Sequence, residues 1–397
     1  MLIQENSSSW EDLLKIAKEN TSSQWVLRPD RSPSSAPISS HLQELTEDQK
    51  APILLYRDTN FWCPFCERIW FALEESGIPF EVEFIDLKNK PKWYIEMIPT
   101  AKVPAAKIGE QLIYESKDIL LAIEKNFETS LLPKDPEEKK IALAEIEAYE
   151  KNGLQDRGFA FILGKSFNKD KPEVSLSELQ AAFEGKLDRI EALLTKYPGP
   201  YFMRDFSLVD IMYSARLSRL AASLPVFRGY HLRGNDRYPN INLWFEAIEQ
   251  RPAYGIIKTD SITHNLVLSK VFGLKPLDSA EITTPSISRE IRESDRMEAA
   301  AKLSANHKAV IADILKNSGI KTISAENTEK AIDFYLRLLA EYLINGKITT
   351  KTDLGEKAIG AVALAYLRNR VCTPRDMTGS AANAFRNGID RLLASMH

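Results

Sequence analysis

The sequence predicts an α/β domain followed by two all-α segments, and three observations predict it. From residue 52 to about 128, apolar runs of strand length alternate with stretches of helical spacing. From 137 to 256 every periodic stretch has helical spacing. The last stretch, 286–397, holds helical stripes with a single proline, Pro374, and no tryptophan. The chain therefore divides into an N-terminal arm (1–50), an α/β domain (51–130), an all-α domain (137–256), a connector (257–285) and a helical extension (286–397).

Each element follows in order. Trp10 to Ala17 has the spacing of a short amphipathic helix. Residues 28–37 (Arg28-Pro29-Asp30-Arg31-Ser32-Pro33-Ser34-Ser35-Ala36-Pro37) read as an extended arm, and Trp10, Trp25 and Leu27 suggest that the arm docks. Pro52 to Arg57 is a strand candidate. After Cys63-Pro64-Phe65-Cys66, residues Glu67 to Glu75 carry apolar side chains at helical spacing, stopped by Gly77. Phe80, Val82 and Phe84 alternate as in a strand. Lys102 to Ile108 and Gln111 to Tyr114 are two short strands split by Gly109, and Ser116 through Phe127 is a helix. A CxxC after the first strand of such a series points to a thioredoxin-like domain. Ile141 to Tyr149, Ser177 to Tyr197, Ser207 to Leu220 and Asn240 to Glu249 are the next helices, with Ser207 and Asp210 as a capping-box variant. In the extension, Ala299 to Leu315, the stripe Ile332–Leu343 ended by Asn345-Gly346, Leu354 to Leu367 and Ala381 to Leu393 supply four more. No internal repeat is found.

Composition narrows the function classes. With 44% hydrophobic and 27% charged residues, the 397-residue chain reads as an ordinary soluble protein with a sizeable core. A formal net charge of −3 gives no electrostatic case for nucleic acid, and no basic run argues for an anionic membrane. No apolar segment approaches the ~20 residues that span a bilayer. Three cysteines, two of them in one CxxC, are too few for a disulfide scaffold and suggest a reducing compartment. The start lacks the features of a signal peptide, so a cytoplasmic location is expected, with the chloroplast or another organelle left open.

The chemistry centres on Cys63. Pro64 fits the first turn of a helix, which places Cys63 at the N-cap. There its sulfur meets unpaired N–H groups and the positive end of the helix dipole, which favour the thiolate. Cys66, one turn on, is either a resolving thiol or a small buried hydrophobe. No metal site is expected, because there is no second CxxC and the five histidines (His41, His231, His264, His307, His397) lack ligand spacing. Cys372 reads as structural.

Leu87-Lys88-Asn89-Lys90-Pro91-Lys92-Trp93, Lys102-Val103-Pro104 and Tyr114-Glu115-Ser116 follow Cys63-Pro64-Phe65-Cys66 in an order and spacing that resemble the cysteine-type glutathione transferases. The likeness is greatest to the omega, lambda, dehydroascorbate reductase and iota group. It covers roughly residues 50–256, including Asp205 to Ile211 in the family's helical domain. The long helical tail and the Arg28-Pro29-Asp30 arm resemble the iota class of photosynthetic organisms. The resemblance implies a thioredoxin-like domain, an all-α glutathione transferase helical domain and an additional all-α C-terminal extension.

It also implies glutathione as cosubstrate and a residue-level site. Val103 would pair by its backbone with the cysteinyl part of the tripeptide, with Pro104 in cis. Glu115 and Ser116 would hold the γ-glutamyl end and Lys90 the glycyl carboxylate, with Phe65 and Lys102 beside them. Phe61, Trp62, Tyr149, Arg157, Phe159 and Tyr213 are candidate walls for the second substrate, and Arg157 and Arg216 are candidate anion attractors. The implied chemistry is thiol transfer, deglutathionylation, or glutathione-dependent reduction of a small oxidised substrate such as dehydroascorbate, with weak conjugation. The other reading is a glutathione-responsive module that binds a ligand or partner through 286–397. Relatives of this kind are often homodimers, and the tail leaves monomer or homodimer open.

Overall fold

The computed structural model describes residues 8–20, 51–59, 62–166, 173–277, 291–320, 324–348, 357–370 and 377–396. Residues 28–37, Trp25, Leu27, Phe61 and Cys372 lie outside them. The chain forms two compact units. One gathers Met1–Ser40, Val82–Phe84 and Thr283–His397, the other His41–Glu81 and Ile85–Ile282.

The α/β part contains β1 (Ile53–Asp58), β2 (Phe80–Ile85), β3 (Ala105–Ile108) and β4 (Gln111–Tyr114) in the order β2-β1-β3-β4. β3 runs antiparallel to both β1 and β4, with Leu55 opposite Ala106 and Ala106 opposite Ile113. Helix α1 (Trp10–Glu19) precedes the sheet in sequence, α2 (Pro64–Glu75) and α3 (Lys92–Met97) are interleaved with the strands, and α4 (Ser116–Phe127) follows the last of them. The third strand begins at Ala105 rather than Lys102. The Val103–Pro104 peptide is cis, as the resemblance implied, and a proline has no N–H to give a ladder.

The helical part of the same unit comprises α5 (Pro136–Lys151), α6 (Leu154–Leu163), α7 (Leu176–Leu193), α8 (Leu208–Arg228), α9 (Pro239–Glu249), α10 (Pro252–Ile257) and α11 (Ser261–Phe272). The capping box at α8 forms as expected: Ser207 Oγ accepts from Val209 N–H, and Asp210 accepts from Ser207 N–H at 2.9 Å. Asp210 also accepts from Trp244 Nε1 at 2.9 Å, which ties α8 to α9. Burial lifts its carboxyl to about 6 against these bonds.

The stretch 257–285 is not only a connector, because it carries α11. Seven successive residues of that helix, Ile262 to Leu268, are buried, so no polar face breaks its pattern into helical spacing. Its caps were the visible signal: Asp260 accepts from Thr263 N–H, and Gly273 closes the helix at φ +71°.

The second unit is a helical bundle of α12 (Glu293–Asn317), α13 (Ala325–Asn345), α14 (Lys357–Arg368) and α15 (Gly379–Ser395), joined by α1. Leu303, Ile314, Ile332, Leu336, Leu339, Leu364, Phe385 and Ile389 form its core. Leu13 and Ala17, four apart and hence on one helical face, enter the same core. Trp10 stacks on His307 with ring centres 4.5 Å apart and donates to Asp333 Oδ1 at 2.7 Å. The first helix is thus part of this bundle rather than of a separate arm.

Candidate active site

Cys63 caps α2 with extended backbone (φ −63°, ψ 115°), and Pro64 is the first helical residue. Contacts from Asp58, Arg219 and the Val103 loop surround that cap. Asp58, at the end of β1, accepts from Trp62 N–H at 2.9 Å and Cys63 N–H at 3.3 Å through one oxygen. Arg219 of α8 donates to the Trp62 carbonyl at 2.8 Å and pairs with Glu67 at 2.8 Å. The Cys63 sulfur faces the Val103 carbonyl at 3.8 Å, and Tyr94 donates to the Lys102 carbonyl at 2.6 Å. The loop carrying Val103 and Pro104 is therefore held against the thiol.

The two cysteines have divergent acidities. The Cys63 thiol is pulled below its ordinary value, chiefly because Cys66 donates a hydrogen bond to its sulfur; burial and the Asp58 charge oppose this, and the N–H groups of Cys66 and Phe65 assist. The N–H groups contribute less than the neighbouring thiol, which is the larger cause. No N–H closes a capping hydrogen bond on the sulfur. Cys66 is fully buried, and burial, followed by its bond to Cys63, pushes its thiol well up. Cys63 is the more acidic thiol of the pair.

The other site residues divide clearly. Ser116 is buried at the start of α4 and accepts from Arg68 Nη1 at 3.4 Å. Glu115 beside it is exposed and has φ +101°, a left-handed value that a non-glycine residue holds only under strain. Lys90 is half-buried and Lys102 exposed. Phe65 is half-buried and lies 5.1 Å beneath the Arg68 guanidinium.

Trp62 and Phe159 both meet Phe272 of α11, at 5.7 Å and 5.2 Å between ring centres. Trp62, one member of this half-exposed aromatic group, lies next in sequence to Cys63. Phe272 escaped the sequence reading because its helix did.

Tyr149 and Tyr213 pack against each other. Their rings meet edge-on at 4.7 Å, Tyr213 stacks on Phe202 at 4.3 Å, and both are buried, so they belong to the helical core. Arg216 is also buried, and burial brings its guanidinium down to about 10. Arg157 is exposed, with no part in this cluster. Asp58, Arg68 and Arg219 are residues around Cys63 that sequence reasoning missed. Arg68 and Arg219 act through contacts far apart in the chain, and Asp58, though only four and five residues from its partners, stands in no recognisable spacing.

Comparison with known proteins agrees with this geometry. The family model for the glutathione S-transferase N-terminal domain matches residues 62–126. Glutathione S-transferase L1 of Arabidopsis thaliana is 32% identical over 51% of this chain and 81% of its own length. The chain belongs to the cysteine-type glutathione transferases. Protein IN2-1 homolog A of Oryza sativa subsp. japonica is 33% identical over 51% of this chain and 79% of its own length. The probable glutathione S-transferase DHAR1, cytosolic, of the same rice is 27% identical over 53% and 89%. No helix of this transferase, among the described residues, is long and apolar enough to cross a membrane.

Proposed function

We propose that this transferase performs glutathione-dependent thiol transfer through a mixed disulfide on Cys63. The observation that carries the reading is the lowered pKa of a cysteine, not a hydroxyl, at the N-cap of α2, facing the Val103 carbonyl. The Cys63 thiolate attacks the glutathione-side sulfur of a glutathionylated substrate, and the substrate leaves as a thiolate that takes a proton from water. A second glutathione then attacks the Cys63–glutathione bond, giving glutathione disulfide and restoring Cys63. Cys66, buried and protonated, is not needed for this cycle. Val103 pairs with the tripeptide backbone, Ser116 and Glu115 hold its γ-glutamyl end, and Lys90 takes its glycyl carboxylate.

The aromatic group of Trp62, Phe159 and Phe272 supports a small substrate with an apolar face. Dehydroascorbate is a further proposed substrate, suggested by the name of the rice relative. The iota class is the proposed subclass, on the arm and helical tail. The test is glutathione-dependent reduction of a small mixed disulfide and of dehydroascorbate by wild type, Cys63→Ser and Cys66→Ser. Cys63→Ser should lose at least a hundredfold in turnover while Cys66→Ser keeps most of it. Full activity of Cys63→Ser would end the proposal.

A further inference from the structure

We propose that Asp58, Cys63 and Cys66 form a binding site for a thiophilic divalent cation, with Zn2+ as the ion to test. A carboxylate oxygen of Asp58 and the two sulfurs all lie within 4.8 Å of one another, and all three residues are buried. Donors around a tetrahedral zinc ion, with bonds of about 2.0–2.3 Å, stand roughly 3.5 Å apart, so closure asks for an inward shift of about 1 Å. The two cysteines are one helical turn apart on α2, and Asp58 comes from the end of β1. The donors thus converge from two elements.

Charge points the same way. Asp58 Oδ1 is buried and accepts no hydrogen bond among the described residues; its nearest countercharge is Arg57 Nη2 at 3.7 Å. With both sulfurs ionised, the trio would carry three negative charges against the one positive charge of Arg57, and a dication cancels the remaining two. An ion there replaces the proton of Cys66 with a positive charge that burial does not have to expel. Two thiolates select zinc or cadmium over magnesium or calcium. Three protein donors leave a fourth position for water or a thiol.

Binding releases the thiol protons to solvent and changes no oxidation state. It also occupies the sulfur that the proposed thiol transfer needs, so Zn2+ should inhibit that reaction reversibly. This consequence rests on the proposed function; the binding itself does not, and it is read without turnover. The expectation of no metal site came from histidine spacing and the single CxxC, and neither feature reveals a carboxylate brought in by the fold.

The experiment titrates reduced, metal-free full-length protein with Zn2+ against a chromophoric chelator, beside Asp58→Asn, Cys63→Ser and Cys66→Ser. Asparagine keeps an oxygen for the Trp62 and Cys63 N–H groups, and circular dichroism checks each fold. The expected result is one Zn2+ per chain, with affinity at least tenfold lower in each variant. Cd2+ should give a thiolate charge-transfer band in the ultraviolet that either cysteine variant weakens. Wild-type affinity no greater than that of Cys66→Ser would overturn the site, as would wild-type affinity in a folded Asp58→Asn.

Discussion

Glu115 combines a strained backbone with a proposed place at the γ-glutamyl end of glutathione. Its φ of +101° costs on the order of 1–3 kcal/mol for a side chain with a Cβ, and a glycine would not incur it. Glu115→Gly should therefore hold or raise the melting temperature while increasing KM for glutathione several-fold, because the carboxylate proposed to meet the γ-glutamyl ammonium is gone. Thermal unfolding and steady-state kinetics on the same preparation check both halves, and an unchanged KM would remove Glu115 from the site. At this scale much was legible. The N-cap position of Cys63 and the place of Ser116 at a helix start can be read from neighbours in sequence, and the cis Pro104 came from the family resemblance. Arg219 could not be read in this way: it reaches the Trp62 carbonyl across 157 residues of chain.

Among the elements, α13 was readable from its stripe, Ile332 to Leu343, whereas α11, buried without interruption from Ile262 to Leu268, was not. The ends of α9 and α10 carry a readable pH dependence. Arg233 grips Glu249 through both carboxylate oxygens, at 2.7 and 3.0 Å, and Lys258 donates to it at 2.7 Å. Burial alone would raise this carboxyl, but the Lys258 and Arg233 charges prevail and hold it at about 2. Its folded value lies below the unfolded one of about 4.3, so its contribution is complete above pH ~5 and is lost as pH falls toward 2. Because both cations are partly exposed, that contribution is about 1 kcal/mol. Glu249→Gln should lower the melting temperature at pH 7 by a few degrees, and the gap should close toward pH 2. A gap independent of pH would assign the loss to packing instead.

For the whole molecule, the two ends of the described chain share one core. Leu13 is buried among residues of α12 to α15, so Leu13→Ala should destabilise the bundle by about 2–4 kcal/mol. A thermal scan that separates the two unfolding steps would show the bundle step moved; no shift would mean that α1 does not pack there in solution. The sequence suggested that the first segment docks, through Trp10, but not on which surface. A single amphipathic face states that it needs a partner, not which one.

Intact-mass analysis of the reduced protein exposed to glutathione disulfide, followed by peptide mapping, tests the central claim most directly. One glutathionyl group per chain, carried by Cys63, kept in Cys66→Ser and lost in Cys63→Ser, is the predicted result. A group found only on another cysteine, or none on folded wild type, would contradict the assignment of Cys63 as the nucleophile.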